Sequence, residues 1–175
     1  MSERRQVSKK RQSTIGFLRQ ILLPGILLSA SACSSQQNVN FSVIQESKQC
    51  RELSAKIARI SSVQDKAQII KKLNRFSDDK KQEHLLKLLE QHAINEQLFL
   101  LSQGQKSSAG YGFNVTAKTG SIIDKTLTLP ITFTYPEPGS MQAQVMTSPC
   151  LILGIDSKVQ FEHIVIDNLE FTISN

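Results

Sequence analysis

Few residues in this chain have the means to do chemistry. In 175 residues there are three histidines, His84, His92 and His163, and three cysteines, Cys33, Cys50 and Cys150. His84 and His92 stand eight positions apart, more than two helical turns, and neither has a partner at metal-ligand spacing. His163 lies among strand-like apolar residues beside Glu162, the setting of a packed structural imidazole. Ser148-Pro149-Cys150 is the one place where a nucleophile can be imagined, and it would need a histidine brought beside it by the fold. Nothing matches G-x-S-x-G, H-E-x-x-H or a phosphate loop. The chain reads as a non-enzyme with no catalytic residues, no metal ligands and no cofactor. A hydrolase is kept only as the last alternative.

The cysteines say more. Residues 1–20 carry Arg4, Arg5, Lys9, Lys10, Arg11 and Arg19 against Glu3, and the apolar run Ile21–Ala32 comes next. That run is too short to span a bilayer, which takes about 20 apolar residues. A basic start, a short apolar middle and a small-residue end make a secretory signal peptide over 1–32. Ala30-Ser31-Ala32-Cys33 resembles the lipobox of bacterial lipoproteins, with Ala30 where Leu is usual. The resemblance implies that Cys33 becomes an acylated N-terminus carrying chains such as palmitate. The alternative is an ordinary cut after Ala32 that leaves a plain thiol. Ser34 in place of Asp implies an outer-membrane lipid anchor facing the periplasm, with display at the cell surface left open. Two or more acyl chains anchor stably, since each buried CH₂ contributes about 0.8 kcal/mol.

The leader also explains the charge. The chain's net +6 falls to 15 Lys+Arg against 14 Asp+Glu from Cys33 onward, so basicity gives no argument for a nucleic-acid partner. Once Cys33 is set aside, Cys50 and Cys150 form an even pair. In an oxidising compartment a disulfide is expected, with two buried free thiols as the alternative. Such a bridge closes a loop of about 100 residues and is worth about 4–5 kcal/mol in the chain-entropy model.

The elements that must position these residues are read from periodicity. Residues 33–38 read as a polar tether and 39–175 as a single α+β domain. Val39, Phe41 and Val43 alternate as a first strand. Lys56–Ile60 is a second, with a helix over Cys50–Ile60 as the competing assignment. Ser62–Phe76 is a helix whose apolar face is Val63, Ala67, Ile70, Leu73 and Phe76, with a capping box between Ser62 and Asp65. Ser77 caps a second helix that buries Leu85, Leu88 and Leu89. Leu98–Leu101 is a fully apolar strand ending at Gly104. Strands are expected at Gly110–Ala117, at Thr126–Tyr135 and at Met141–Ile155, the last bent at Ser148-Pro149. Pro130 makes the middle one an edge or a bulged strand. Val159, Phe161, His163 and Val165 share one side of a strand, turned at Asp167-Asn168 into a last strand through Leu169, Phe171 and Ile173. The whole is α+β: a mostly antiparallel sheet or small sandwich with two helices packed on it.

The runs LFLLSQGQKSSAGYGFNV, PEPGSMQAQV and TSPCLIL together resemble the C-terminal domain of PrcB, the accessory lipoprotein family of a bacterial surface protease complex. The resemblance covers residues 98–155 and rests on Gly104, Gly110-Tyr111, Pro136–Gly139 and Thr147–Pro149, with Ala109 where a first Gly is usual and Cys150 where an aromatic is common. It implies no catalytic residue. It implies a lipid-anchored envelope protein acting as a non-catalytic binding or stabilising module, accessory to an envelope protease or a similar envelope protein. A periplasmic protease inhibitor or peptide binder is the alternative. The candidate interaction residues are Tyr111, Gly110, Gly112, Pro136, Pro138 and Gly139, on a loop (105–112) and a turn (136–139) expected to share one region. The competing reading buries Tyr111 with its hydroxyl on a backbone group and leaves the glycines to the fold.

Overall fold

The computed structural model describes residues 35–73 and 79–173. The expected signal peptide over 1–32 lies outside the described residues, as do Cys33, Ser34, Asn74, Arg75, Phe76, Ser77, Asp78, Ser174 and Asn175. In chain order the elements are β1 (Gln37–Ser47), β2 (Ala55–Ile60), α1 (Val63–Leu73), α2 (Asp79–His92), β3 (Glu96–Gln103), β4 (Gly112–Val115), β5 (Thr119–Ile123), β6 (Thr126–Thr128), β7 (Ile131–Thr134), β8 (Cys150–Asp156), β9 (His163–Ile166) and β10 (Leu169–Thr172). Eight strands make one sheet in the order β10-β9-β6-β5-β1-β8-β3-β2, and β4 and β7 pair apart from it. Every pairing is antiparallel except β6 with β9. Ile57 on β2 and Phe171 on β10, at opposite edges, pack against one interior cluster, so the sheet curls into a nearly closed barrel. The expected α+β class with two helices holds, and the sheet is barrel-like rather than a sandwich.

β3 and β8 are apolar on both faces for a physical reason. Phe99, Leu101, Leu151, Leu153 and Ile155 point into the barrel. Leu98, Leu100, Cys150 and Ile152 point the other way, onto Ile69 and Ile70 of α1 and Leu85 and Leu89 of α2. A strand covered on both sides loses its alternation and reads as one continuous apolar run. β1 serves both layers by a register shift between Val43 and Gln45: Val39 and Phe41 face the barrel, whereas Ile44 packs toward the helices.

The helix start is as expected. Asp65 N–H donates to Ser62 Oγ at 3.0 Å and Ser62 N–H donates to Asp65 Oδ2 at 2.9 Å, a reciprocal cap. The buried face is not as expected. Val63 is exposed, and so is Ala67, because α1 meets the sheet only through its C-terminal half, at Ile69, Ile70 and Leu73. In α2, Leu85 and Leu89 are buried while Leu88 is half-exposed.

Several strands differ from their sequence reading. The first strand starts earlier than the tether allowed, taking in Gln37 and Asn38. The expected Thr126–Tyr135 strand is two strands in two sheets. Pro130 cannot donate to a ladder, and the chain breaks there between β6 and β7. β5 was not expected. It pairs with β6 through a two-residue turn in which Asp124 and Lys125 both hold positive φ. Residues 141–146 form no strand despite their alternation, and Met141–Ile155 shortens to β8. The C-terminal hairpin turns at Asp167-Asn168 as expected, but β9 begins only at His163 and buries Ile164 and Ile166, the opposite parity to His163 and Val165.

Candidate interaction surface

Antiparallel pairing brings three chain segments to one end of the sheet. Ser47 of β1 and Ser102 of β3 both pair with Cys150, the first residue of β8. The segments that leave β1 and β3 and the segment that enters β8 therefore lie side by side. Short bridges knit them together. Lys106 and Thr147 exchange two backbone hydrogen bonds at 2.8 and 2.9 Å, Cys50 N–H donates to Ser148 O at 2.8 Å, and Ser148 N–H donates to Lys48 O at 2.9 Å. The Cys50–Cys150 disulfide joins the same segments, with Cα atoms 5.9 Å apart.

Under this surface lies a polar support. Ser148 Oγ accepts from Glu52 N–H at 3.0 Å and donates to Glu52 O at 2.9 Å. The Glu52 carboxylate is buried and pairs with Lys56 Nζ at 2.8 Å and with Lys72 Nζ. Burial, the largest single influence, pushes its pKa upward. The hydrogen bonds and charges of the two lysines together outweigh that and hold it below the ordinary glutamate value. Gln103, also buried, donates through Nε2 to Gly112 O.

The candidate residues sort themselves by place. Gly110, at φ +94°, touches the proline turn: a Cβ there would lie 3.1 Å from the Pro136 ring and 3.0 Å from Gln142 Oε1. The loop 105–112 and the turn 136–139 are thus in contact through Gly110 and Pro136. Gly112 is buried against Thr134 and starts β4, a role in the fold. Pro138 and Gly139 are exposed, and a Cβ on Gly139 would meet nothing within 4 Å. Tyr111 is half-buried. Its ring meets that of Tyr135 edge-on at 6.0 Å, and Lys106 Nζ sits 5.3 Å from its centroid.

Sequence reasoning missed the larger part of this surface. Tyr135 is 60% exposed, Met141 fully exposed, and Val145, Met146 and Leu53 stand out from it as well. Residues 141–146 hang on the loop by Ala109 N–H to Ala143 O at 3.0 Å, with Val145 N–H turning back on Ala143 O at 2.9 Å. The signal available was the pair of prolines: a segment leaving Pro136 and Pro138 has no neighbouring strand to bury its apolar alternation. Exposed tyrosine and methionine grouped on bridged loops can make large, adaptable apolar contacts.

The groups with chemical potential are engaged elsewhere. Cys150 is in the disulfide and Ser148 Oγ is held by Glu52. His92 Nδ1 lies 2.7 Å from Glu96 Oε2, which also accepts from Ser42 Oγ at 2.9 Å. The carboxylate sits between the hydroxyl and the imidazole, whereas a nucleophile needs the imidazole in the middle. His163 Nδ1 lies 3.0 Å from Glu170 Oε1, and His84 is exposed. Among the described residues no three His, Cys, Asp or Glu side chains converge as a metal site, and no helix is long and apolar enough to cross a membrane.

Residues 98–156, which run from within β3 to the end of β8, match the family described as PrcB C-terminal. No curated protein and no solved structure gives a significant match.

Proposed function

We propose that this chain, which carries a PrcB C-terminal domain at residues 98–156, is a lipid-anchored envelope protein that acts as a non-catalytic binding or stabilising module for another envelope protein, such as a protease. The observation that carries the reading is the exposed Tyr135 against Tyr111, with exposed Met141 and Met146 on the neighbouring segment, on loops held together by backbone bridges and a disulfide. A domain that spends a disulfide and two prolines on holding exposed apolar side chains lowers the ordering cost of binding through them. The anchor rests on the lipobox-like Ala30–Cys33, and the orientation toward the periplasm on Ser34. The engagement of Cys150 and Ser148 supports a role without catalysis. An inhibitor docking through the same surface is the second reading, and the identity of the captured partner separates the two.

One experiment tests both halves. Envelopes expressing the full chain are cross-linked, and the protein is recovered with its partners and its mature N-terminus for mass spectrometry. The expected result is an acylated Cys33 and a defined partner whose recovery is lost in Tyr135→Ala and Met141→Ser. Both variants should melt as the parent does, because these side chains are exposed. An unmodified N-terminus ends the anchor. Recovery unchanged in both variants ends the surface assignment.

A further inference from the structure

One margin of the surface is hollow. Between Gln49–Leu53 and the strip formed by Gln105 and Met146–Ser148 lies a cleft of about 150 Å³. Sites for small molecules run to roughly 300–1,000 Å³. This cleft is the size for one side chain of a partner, not for a metabolite. Its rim is apolar and open, with Leu53 79% and Met146 56% exposed. Its wall is fixed by the paired Ser148–Glu52 hydrogen bonds, and Gln49 Nε2 donates to Met146 O at 3.0 Å across the strip.

The charge beside the cleft is unmatched. Arg51 is exposed and, among the described residues, pairs with no carboxylate. Its neighbour Glu52 is already taken by Lys56 and Lys72. Lys48 and Lys106 flank the same strip through their backbone bonds to Ser148 and Thr147. Among the described residues lining the cleft Glu52 is the only carboxylate, while Glu46 lies against Gly112 and Glu137 in the proline turn. Arg51 also holds φ +56°, a left-handed conformation that strains a non-glycine residue and that gathers at ligand clamps.

We infer that this cleft is the anchor pocket for an extended segment of a partner protein in which an apolar side chain is flanked by carboxylates. The apolar side chain enters between Leu53 and Met146, and an adjoining carboxylate meets the Arg51 guanidinium, which suits carboxylates through its planar fork of donors. The inference rests on the binding-module reading and assigns the chemistry that the module recognises.

The test selects 12-residue peptides from a random phage library on the full chain purified in detergent. The selected peptides are then labelled with fluorescein and titrated by anisotropy. The expected peptides carry Leu, Ile, Phe or Met beside Asp or Glu. Arg51→Glu and Leu53→Ser weaken their binding by about tenfold or more, as loss of an interface anchor does, and Lys87→Glu, on α2, leaves it unchanged. Arg51→Gly relieves the backbone, so it should melt no lower than the parent while losing the same affinity. Selected peptides without acidic residues, a library that yields no binder, or affinities indifferent to both Arg51 variants overturn the pocket. If binding survives the Arg51 variants and is lost in Tyr135→Ala, the pocket falls while the binding-module reading stands.

Discussion

Along β8, from Cys150 to Ile155, every residue is buried; a few residues upstream, from Met141 to Met146, all but half-buried Gln142 are exposed. The two stretches are covalently close and both carry apolar residues, alternating with Gln142 and Gln144 in the first and unbroken by any polar side chain in the second. Besides that difference in sequence, the company of neighbouring backbone separates them. β8 has β1 on one side and β3 on the other, with the barrel beneath and the helices above. Residues 141–146 lean on the loop at Ala109 and on the Gln49 side chain, and among the described residues no strand is paired to them. Apolar side chains are thus hidden where two partners hydrogen-bond the strand and displayed where none does. The disulfide lies at the border, with Cys150 as the first residue of the buried stretch.

The strongest way to break this contrast is to cut that border. The Cys50→Ala, Cys150→Ala pair removes a link across a sequence separation of 100 residues, and the expected loss is about 4–5 kcal/mol in the chain-entropy model, read from urea unfolding. A loss under about 1 kcal/mol would mean that the backbone bridges alone hold the surface to the sheet. Next comes a matched pair of truncations. Leu153→Ala, at a fully buried site, should cost about 2–5 kcal/mol, whereas Met141→Ala should stay within about 0.5 kcal/mol. Equal effects would show that the exposed stretch packs against something in solution.

The smallest effect concerns the support beneath the surface. Glu52 has its folded pKa below the ordinary value of 4.5. Its contribution is therefore fully present above that value and is lost as pH falls through it toward the folded pKa. Unfolding free energy measured against pH should decline below about pH 4.5, with a shallower decline in Glu52→Gln. At neutral pH that variant should lose about 1–2 kcal/mol, since both lysines are partly solvated. Some decline will persist in the variant. Asp65, held low by the backbone and side-chain hydrogen bonds of Ser62, titrates in the same direction. Identical slopes in the two proteins would remove Glu52 from the account.

Legibility in the sequence tracked the number of partners an element has. Leu98–Leu101 and Cys150–Ile155 could be read as strands because burial on both faces leaves an unbroken apolar run. Ser62 and Asp65 announced the first helix because a cap is a local interaction, complete within four residues. The β5–β6 hairpin was invisible because Asp124-Lys125 takes a positive-φ turn without the glycine that usually marks one. Residues 141–146 misled in the opposite sense. Alternation reports amphipathic character, and only a neighbouring strand turns that into a ladder. At the surface, Tyr111, Gly110 and Pro136 could be found from glycine and proline punctuation. Leu53, Met146 and Arg51 come from a distant part of the chain or from a segment read as strand, and only the pairing of β1, β3 and β8 assembles them.

The early start of β1 at Gln37 sets a height. With Cys33 as the anchor, four backbone steps separate the lipid from the first strand residue, a reach of at most about 14 Å at 3.3–3.6 Å per residue. β1 then runs for 11 residues before it delivers the chain to Lys48–Leu53, and at about 3.3 Å per residue that is close to 35 Å. On the proposed function, the anchored end and the interaction end would be opposite ends of one strand. If the proposed anchor at Cys33 is present, the interaction end could reach up to tens of ångströms from it. Its partner would need to offer the matching segment at that altitude, and inserting residues into the tether would shift the altitude without altering a single contact.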